Sequence, residues 1–466
     1  MTAQPPAHRV GERKGLAVGL VLTITTIAFE NLGVATAMPI VAKDLGDLSL
    51  YGWAFTAPLL ASLIGIGVAG RYVDRLGPGR PFAFGLALFT IGLAIAGGAP
   101  SMEVLVAGRF IQGLGTGVIP PVAYAAIGRA FVDRARATMF ALLSTAWVLP
   151  GLIGPAVSGT IAEEVGWRWV FVAILPLVPL NALLAIPSLV RLGPPPVDEQ
   201  HDHEAEQAGR IGLAVRLAVG VGFVVGGLGW RSMLAVPLVV LGGVLAWPPL
   251  RRLLPEGTLR AAPGLPAAVA ARGLQTFAFF GAQAFIPLAL QEVRDQRATV
   301  AGVLLTAATL AWTAGAWLQE RRGHVLGRAT FVRRGFELLV AGSALSALVV
   351  VDAVPIPLAG LGWTIAGLGM GLSYSGLSLI VLAAAPPGRE GSASSAIQLS
   401  DVLGMALGTG LGGAAVAFGE RAGWSARPGV SVAFALALAA GMSAVVAARR
   451  LPSVEPDIHA VSGSKP

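Results

Sequence analysis

Apolar runs long enough to cross a bilayer recur along almost the whole chain. A helix rises about 1.5 Å per residue, so about 20 apolar residues span the hydrocarbon core of a membrane. Fourteen such runs can be placed between short polar turns, at about 15–42, 50–72, 80–99, 102–127, 137–162, 167–190, 211–229, 232–250, 264–291, 298–318, 330–351, 355–385, 392–418 and 430–448. With 55% hydrophobic and only 12% charged residues, the chain is predicted to be an all-α polytopic membrane protein.

The composition divides these runs into groups of six, two and six. After the sixth run the chain becomes Pro-rich and then acidic, a composition that cannot remain in lipid. We therefore predict an N-terminal six-helix bundle, a cytoplasmic linker, two extra transmembrane helices, a C-terminal six-helix bundle and a disordered cytoplasmic tail. Their predicted bounds are 1–190, 191–210, 211–250, 251–450 and 451–466.

The distribution of charge predicts how the chain lies in the membrane. Most of the 33 Lys and Arg residues fall at the two termini and in the even-numbered loops, so the positive-inside rule places both termini in the cytoplasm. This asymmetry accounts for the net charge of +8 without a nucleic-acid partner. Nearly all of these residues are Arg, which suggests a GC-rich bacterial genome and hence the inner (plasma) membrane. There is no Cys, and the five His residues give no metal-site pattern.

Of the acidic residues inside the predicted spans, two are candidates for a functional role. Glu30 is near the middle of the first run, where a charge costs about 3 kcal/mol on insertion scales, so a functional role is the default hypothesis. Asp401, close to Gln398 in the run 392–418, lies about two turns from the cytoplasmic end and is the second candidate for proton exchange. The alternatives are a polar residue tolerated against a neighbouring helix for Glu30 and a structural ion pair for Asp401.

Three basic residues lie inside spans and away from the span edges. Arg109 is predicted to act as a fixed positive charge beside a carboxylate, and its alternative is to extend outward to the membrane surface. Arg216 and Arg272 lie near cytoplasmic helix ends, where long side chains can reach the interface.

The two groups of six runs resemble each other. Residues 148–159 align without a gap against residues 402–413, with Gly154 opposite Gly408, and Pro39 in the first run corresponds to Pro287 in the ninth. Internal repeats of this kind are typical of transporters that bind their substrate near the midplane. The alternative is that Gly-rich apolar helices look alike by composition alone.

The polar turn at residues 70–80 carries the most specific motif. Its sequence, Gly-Arg-Tyr-Val-Asp-Arg-Leu-Gly-Pro-Gly-Arg, resembles the Gly-x-x-x-Asp-Arg-x-Gly loop of the major facilitator superfamily. The resemblance implies a cytoplasmic gate, in which Asp74 pairs with a basic residue such as Arg129, Arg134 or Arg136 in one state and releases it in another. An ordinary solvated turn is the alternative. The predicted gate residues are Gly70, Asp74, Arg75, Gly77 and Arg80.

Further motifs resemble the fourteen-helix drug:proton antiporter group of that superfamily. They are an acidic residue nine positions before Pro39, the Arg-x-x-Gln-Gly motif at 109–113, a loose antiporter motif at 148–159 and Gly-Trp-Arg-Trp at 166–169. The Gly-x-Gly-x-Gly run at 113–117 is not a dinucleotide fingerprint, because no strand precedes it. The antiporter motif implies a helix hinge at Pro150, Gly154, Pro155 and Gly159.

The resemblance implies a major facilitator fold of two six-helix bundles with a two-helix linker hairpin. It also implies a proton-coupled exporter of hydrophobic small molecules, cationic ones included, that works by alternating access as a monomer with no cofactor. Proton coupling would rest on Glu30, Arg109 and Asp401. The residues predicted to line the substrate cavity are Asn31, Trp53, Gln112, Trp147, Phe277, Phe280, Trp312, Tyr374 and Gln398. The alternatives are export of an endogenous lipid, siderophore or natural product, and a non-transporting membrane sensor or scaffold.

Overall fold

The computed structural model describes residues 10–131, 135, 138–139, 142–143, 145–194, 204–230, 232–385 and 390–451. These residues are helical with short connections. The long helices of the first part of the chain are α1 (Val10–Leu45), α2 (Trp53–Leu76), α3 (Gly79–Gly97), α4 (Met102–Ala130), α5 (Val148–Ile161) and α6, which is interrupted (Arg168–Val172 and Leu177–Arg191). They are followed by α7 (Glu204–Leu228), α8 (Ala235–Leu253), α9 (Leu265–Gln283), α10 (Ala298–Leu326), α11 (Arg328–Ala347), α12 (Ile356–Ala383), α13 (Glu390–Arg421) and α14 (Ala426–Ala448).

Twelve helices within the described ranges are long and apolar enough to cross a membrane. The prediction of an all-α polytopic membrane protein is therefore confirmed. Two predicted spans are not among the twelve: α5, which lies next to residues that the structure describes only in part, and α11, which carries Arg328, Arg333, Arg334 and Glu337 in its first three turns. The count of fourteen stays a prediction.

The helices form two compact units. The first holds residues 1–249 together with 296–303, and the second holds residues 250–295 and 304–466. The helix α7 begins at Glu204, within the stretch 191–210 that the sequence analysis assigned to a linker, and residues 195–203 lie outside the described part. In the first unit, α7 packs against α2.

The glycine run in α4 lets two helices pack closely against it. In the first unit α2 and α3 both lie along α4, while α1 lies along α5 and the second part of α6. The first and third glycines of the run face the backbone of α2, and the second faces α3, with no room for a Cβ atom at any of them. The pairs are Gly113–Pro58, Gly117–Ser62 and Gly115–Phe89.

The second unit repeats this packing. In α12, Gly367 and Gly371 face the backbone of α10 at Ala308 and Trp312, and Gly369 faces α11 at Leu339. The predicted repeat of α5 in α13 is also confirmed by contacts, because Gly154 lies beside Phe29 of α1 and Gly408 lies beside Phe277 of α9. The matching contacts support an internal repeat rather than resemblance by composition alone.

Candidate functional site

Glu30 lies in a buried polar cluster made by α1, α2 and α4. Its carboxylate forms an ion pair with Arg109 of α4, and the two side chains are only 1% and 3% exposed. The Arg109 guanidinium also donates from Nε to the carbonyl oxygen of Ala54 (3.1 Å) and from Nη1 to Oε1 of Gln112 (2.7 Å). We call these four residues the Glu30 cluster.

The Glu30 cluster brings together three residues that the sequence singled out separately. The prediction that Arg109 sits beside a carboxylate is confirmed, and its outward alternative is excluded because the side chain is buried. Three of the guanidinium's interactions tie α4 to α1, to α2 and to its own next turn. A pair of charges this deep is stable only when both partners are present, since loss of one leaves the other unpaired in a dry environment.

A second ion pair, with one partner buried and one partly exposed, lies in the second unit between α9 and α13. Oδ1 of Asp401 is 3.8 Å from Nη1 of Arg272, and the two side chains are 16% and 2% exposed. The hydroxyl of Tyr374 donates to Oδ2 of Asp401 at 2.6 Å. Nη2 of Arg272 donates to the carbonyl oxygen of Tyr374 (2.6 Å) and to Oγ of Ser378 (2.5 Å). These four residues form the Asp401 cluster.

The placement of Arg272 corrects the sequence analysis. Its side chain does not extend to the cytoplasmic interface but turns inward, since one helical turn of α12 supplies hydroxyl and carbonyl acceptors and α13 supplies a carboxylate. Those acceptors offset the cost of removing a guanidinium from water. The similar depth of Arg272 and Asp401 in their helices was the one signal in the sequence that pointed to the pair.

Five aromatic rings form a continuous cluster in the second unit. Phe279 stacks on Trp363, with ring centroids 4.6 Å apart, and meets Phe280 and Trp312 edge to face at 5.3 and 5.4 Å. Trp312 contacts the ring of Tyr374 at 5.4 Å. This aromatic cluster joins the Asp401 cluster directly, because the guanidinium carbon of Arg272 lies 3.6 Å from the centroid of the Tyr374 ring. Trp363 had not been singled out in the sequence.

Of the other predicted cavity residues, Gln112 belongs to the Glu30 cluster and the rest lie apart from both clusters. Asn31 is exposed and its amide donates to the carbonyl of Ile27 in its own helix, and Gln398 is exposed with a contact to Ser394. Trp147 is 45% exposed next to the start of α5. Three residues pack locally: Trp53 lies against Gly226 of α7, Phe277 lies against Gly408, and Gln112 belongs to the Glu30 cluster. Their role in lining a cavity stays a prediction.

The predicted gate lies where α2 ends and α3 begins. Gly70, Asp74 and Arg75 are in the last two turns of α2, Gly77 follows the helix with φ +72°, and Arg80 is exposed in the first turn of α3. The position of Gly77 leaves no room for a Cβ atom because it lies against the carbonyl of Gly193.

The predicted partner of Asp74 has contacts of its own. The guanidinium of Arg129 donates to the carbonyl oxygens of Leu192 (2.7 Å) and Gly193 (2.9 Å), next to Gly77. The side chain of Asp74 and residues 134 and 136 lie outside the described part, so pairing across the gate stays a prediction.

The predicted hinge residues occupy one buried face of α5. Pro150, Gly154, Pro155 and Gly159 are all buried, and Pro155 lies inside the helix. Gly154 contacts Phe29 and Gly159 contacts Thr36, so this face packs on α1, the helix that carries Glu30. Bending at these prolines stays a prediction.

Comparisons with known proteins agree with this architecture. The family model of the Major Facilitator Superfamily matches residues 16–409. The "Probable multidrug-efflux transporter" of Mycobacterium tuberculosis is 28% identical over 461 residues, which cover 94% of this chain and 96% of that protein. The "Multidrug transporter protein MdtP" of Bacillus subtilis is 35% identical over 166 residues, which cover 36% of this chain and 31% of that protein. The "Acurin A biosynthesis cluster MFS-type transporter" of Aspergillus aculeatus is 31% identical over 199 residues, which cover 42% of this chain and 36% of that protein.

Solved structures share the fold at low sequence identity. A POT family transporter, solved in complex with a thioalcohol-conjugated peptide, has a TM-score of 0.66 at 15% identity, covering 92% of this chain and 95% of that one. The xylose transporter XylE from E. coli has a TM-score of 0.62 at 14% identity, covering 93% and 96%.

Proposed function

Since this chain belongs to the major facilitator superfamily, we propose that it is a proton-coupled exporter of hydrophobic small molecules that works by alternating access. The names of its bacterial relatives support export of the multidrug type. The observation that carries proton coupling is the burial of Glu30: a carboxylate 1% exposed inside an apolar helix, with a single guanidinium as its counter-ion. Ionisable groups at such depth mark proton pathways.

The Glu30 cluster supplies a means to link a proton to a change of state. Ionised Glu30 attracts Arg109, whereas a proton on Glu30 removes that attraction and leaves Arg109 held by Ala54 and Gln112. A ligand or proton shifts an equilibrium only by its differential affinity for the two states. In this proposal, protonation loosens α1 from α4 and favours one access state, while substrate favours the other.

The remaining roles follow from the same proposal. Asp401 is a second proton site, the residues around Asp74 gate the cytoplasmic side, and the buried face of α5 is a hinge against α1. The protein needs no cofactor or catalytic group, since the proton gradient supplies the energy. It acts as a monomer in the bacterial inner membrane with both termini in the cytoplasm.

The test uses purified protein in liposomes with an imposed pH gradient. Wild type is expected to move hydrophobic aromatic compounds, uncharged and cationic, against their gradients, with proton movement reported by an entrapped pH dye. The Glu30→Gln variant keeps the shape of the side chain but carries no titratable proton, so it should lose gradient-driven flux. Glu337→Gln, in an exposed pair with Arg334, is the matched control and should transport as wild type. Equal coupled flux in Glu30→Gln and wild type would overturn the proposal.

Export of a natural product is a second candidate, favoured by the fungal relative named for a biosynthesis cluster. The two candidate functions can be separated by comparing the metabolites that cells release with and without the gene. A single compound that depends on the gene favours the second candidate, and its absence together with broad export of added compounds favours the first.

A further inference from the structure

The aromatic cluster of the second unit has features of a binding surface with a defined preference. We infer that Phe280, Trp312 and Tyr374 bind an uncharged planar aromatic group of the substrate. The inference rests on the proposed function and narrows its substrate class. It uses only residues of the second unit.

The five rings differ in exposure: two are buried beneath the other three. Phe279 and Trp363 are buried and stacked, while Phe280, Trp312 and Tyr374 are half-buried. The neighbouring rings meet at 57° to 86°, so their faces point in different directions. A planar ligand inserted among such rings can stack on one and meet another edge to face, the two arrangements that aromatic pairs prefer.

The charges around this surface balance. The helix α12 carries no charged residue, and Arg272 is the only charged residue of α9. Arg272 is paired with Asp401, and the only charged residue of α14, Arg427, pairs with Asp352. The charged residues of α10, at 320–322, lie more than two turns beyond Trp312. Among the described residues of these four helices, no carboxylate without a basic partner lies beside the three rings to attract a cation.

Without Arg272, the faces of these three aromatic rings could also bind a cation by cation–π attraction. At Tyr374 the protein already places its own cation there, because the guanidinium of Arg272 lies 3.6 Å from the ring centroid. A second positive charge on this ring would meet repulsion from Arg272, and more so when Asp401 is protonated and no longer compensates it. An uncharged aromatic group keeps the stacking energy without that cost.

The experiment compares two tricyclic fluorescent probes of the same shape. Acridone is uncharged, whereas 9-aminoacridine is a cation at neutral pH. Fluorescence anisotropy measures the binding of each to the full-length protein in lipid nanodiscs, with empty nanodiscs as the blank. We expect acridone to bind with a Kd at least about tenfold lower than that of 9-aminoacridine.

Variants locate the site. Trp312→Ala and Phe280→Ala should each weaken acridone binding by about tenfold. Trp317→Ala is the matched control, because Trp317 lies in the same helix but is 61% exposed, and it should bind within about twofold of wild type. Thermal unfolding of each variant checks that it is folded, and Trp312→Phe, which keeps a ring, should retain most of the affinity.

The outcomes separate this inference from the proposed function. Tighter binding of 9-aminoacridine, or unchanged acridone binding in folded Trp312→Ala and Phe280→Ala, overturns the inference even if wild type exports compounds in liposomes. Absence of proton-driven flux, with the expected binding pattern intact, overturns the proposed function and leaves the binding surface in place.

Discussion

The two units share their helix packing but not the position of their buried charges. The offset of 254 residues that relates Gly154 to Gly408 places Trp363 at the position of Arg109 and Trp147 at the position of Asp401. The offset of 248 residues that relates Pro39 to Pro287 places Ala278 at the position of Glu30 and Ile24 at the position of Arg272.

Each buried pair therefore has an apolar counterpart in the other unit. The first unit puts the acid on its first helix and the base on its fourth, whereas the second unit puts the base on its first helix, α9, and the acid on its fifth, α13. An ion pair retained from a common ancestor of the two halves would occupy equivalent positions. We infer that the two pairs arose separately. In the proposed function both acids exchange protons, and the pair of Asp401 with Arg272 also balances charge beside the aromatic cluster.

The largest expected effect is the loss of Arg109. In Arg109→Ala the Glu30 carboxylate is left buried without its counter-ion, which should cost about 3–5 kcal/mol of stability. Arg272→Ala should cost less, because Asp401 keeps the hydrogen bond from Tyr374 and is partly exposed. Thermal unfolding in detergent measures both. A double-mutant cycle for each pair gives the interaction energy, and a larger value for Asp401 with Arg272 would reverse the comparison.

The next effect isolates the hydroxyl of Tyr374. Tyr374→Phe keeps the ring against Trp312 but removes a hydrogen bond to a carboxylate, worth about 1.5–3 kcal/mol. Tyr72→Phe, at an exposed tyrosine of α2, is the control and should leave the unfolding midpoint unchanged. Equal midpoints for Tyr374→Phe and wild type would show that the hydroxyl does not hold Asp401.

The third prediction concerns what the two units have in common. A Cβ atom at Gly115 or Gly369 meets backbone of the neighbouring helix. Gly115→Ala and Gly369→Ala should therefore each lower the free energy of unfolding by a similar amount, about 1–3 kcal/mol. At Gly243 of α8 a Cβ meets nothing within 4 Å, and the same change should be neutral or slightly stabilising there. Strongly different losses at Gly115 and Gly369 would contradict equivalent packing.

The smallest effect is expected at the surface of the second unit. Two hydrogen bonds from Arg427 hold the pKa of Asp352 below its usual value, and both side chains are exposed. A lowered carboxyl pKa stabilises the folded state above the unfolded value of about 3.9 and loses that contribution as the pH falls through the folded value. The free energy of unfolding of Arg427→Ala should thus be only slightly lower than that of wild type at neutral pH. This difference in stability should vanish in acid. A difference that grows as the pH falls would exclude this account.

Particular residues show how far sequence reasoning reached into the site. Glu30 and Arg109 could each be identified from the sequence as candidate functional residues, because an ionisable group in an apolar run costs free energy whichever way it faces. Their pairing with Gln112 and Ala54 required the crossing of α1, α2 and α4. Arg272 was misplaced because a long side chain near a helix end has two ways to satisfy its charge, and only the neighbouring helices decide between them. Trp363 gave no signal, since aromatic residues are common in apolar helices.

The sequence by itself determined that the chain is an all-α polytopic membrane protein, and it determined the family. Both follow from local properties of the chain, namely the length of apolar runs and short motifs. The tertiary structure alone decided which buried charges meet and which rings join them. Several of those contacts connect residues far apart in the chain: Glu30 and Arg109 are 79 positions apart, and Arg272 and Tyr374 are 102 positions apart. Their free energy depends on distance, exposure and the partners on neighbouring helices, none of which is encoded by local spacing.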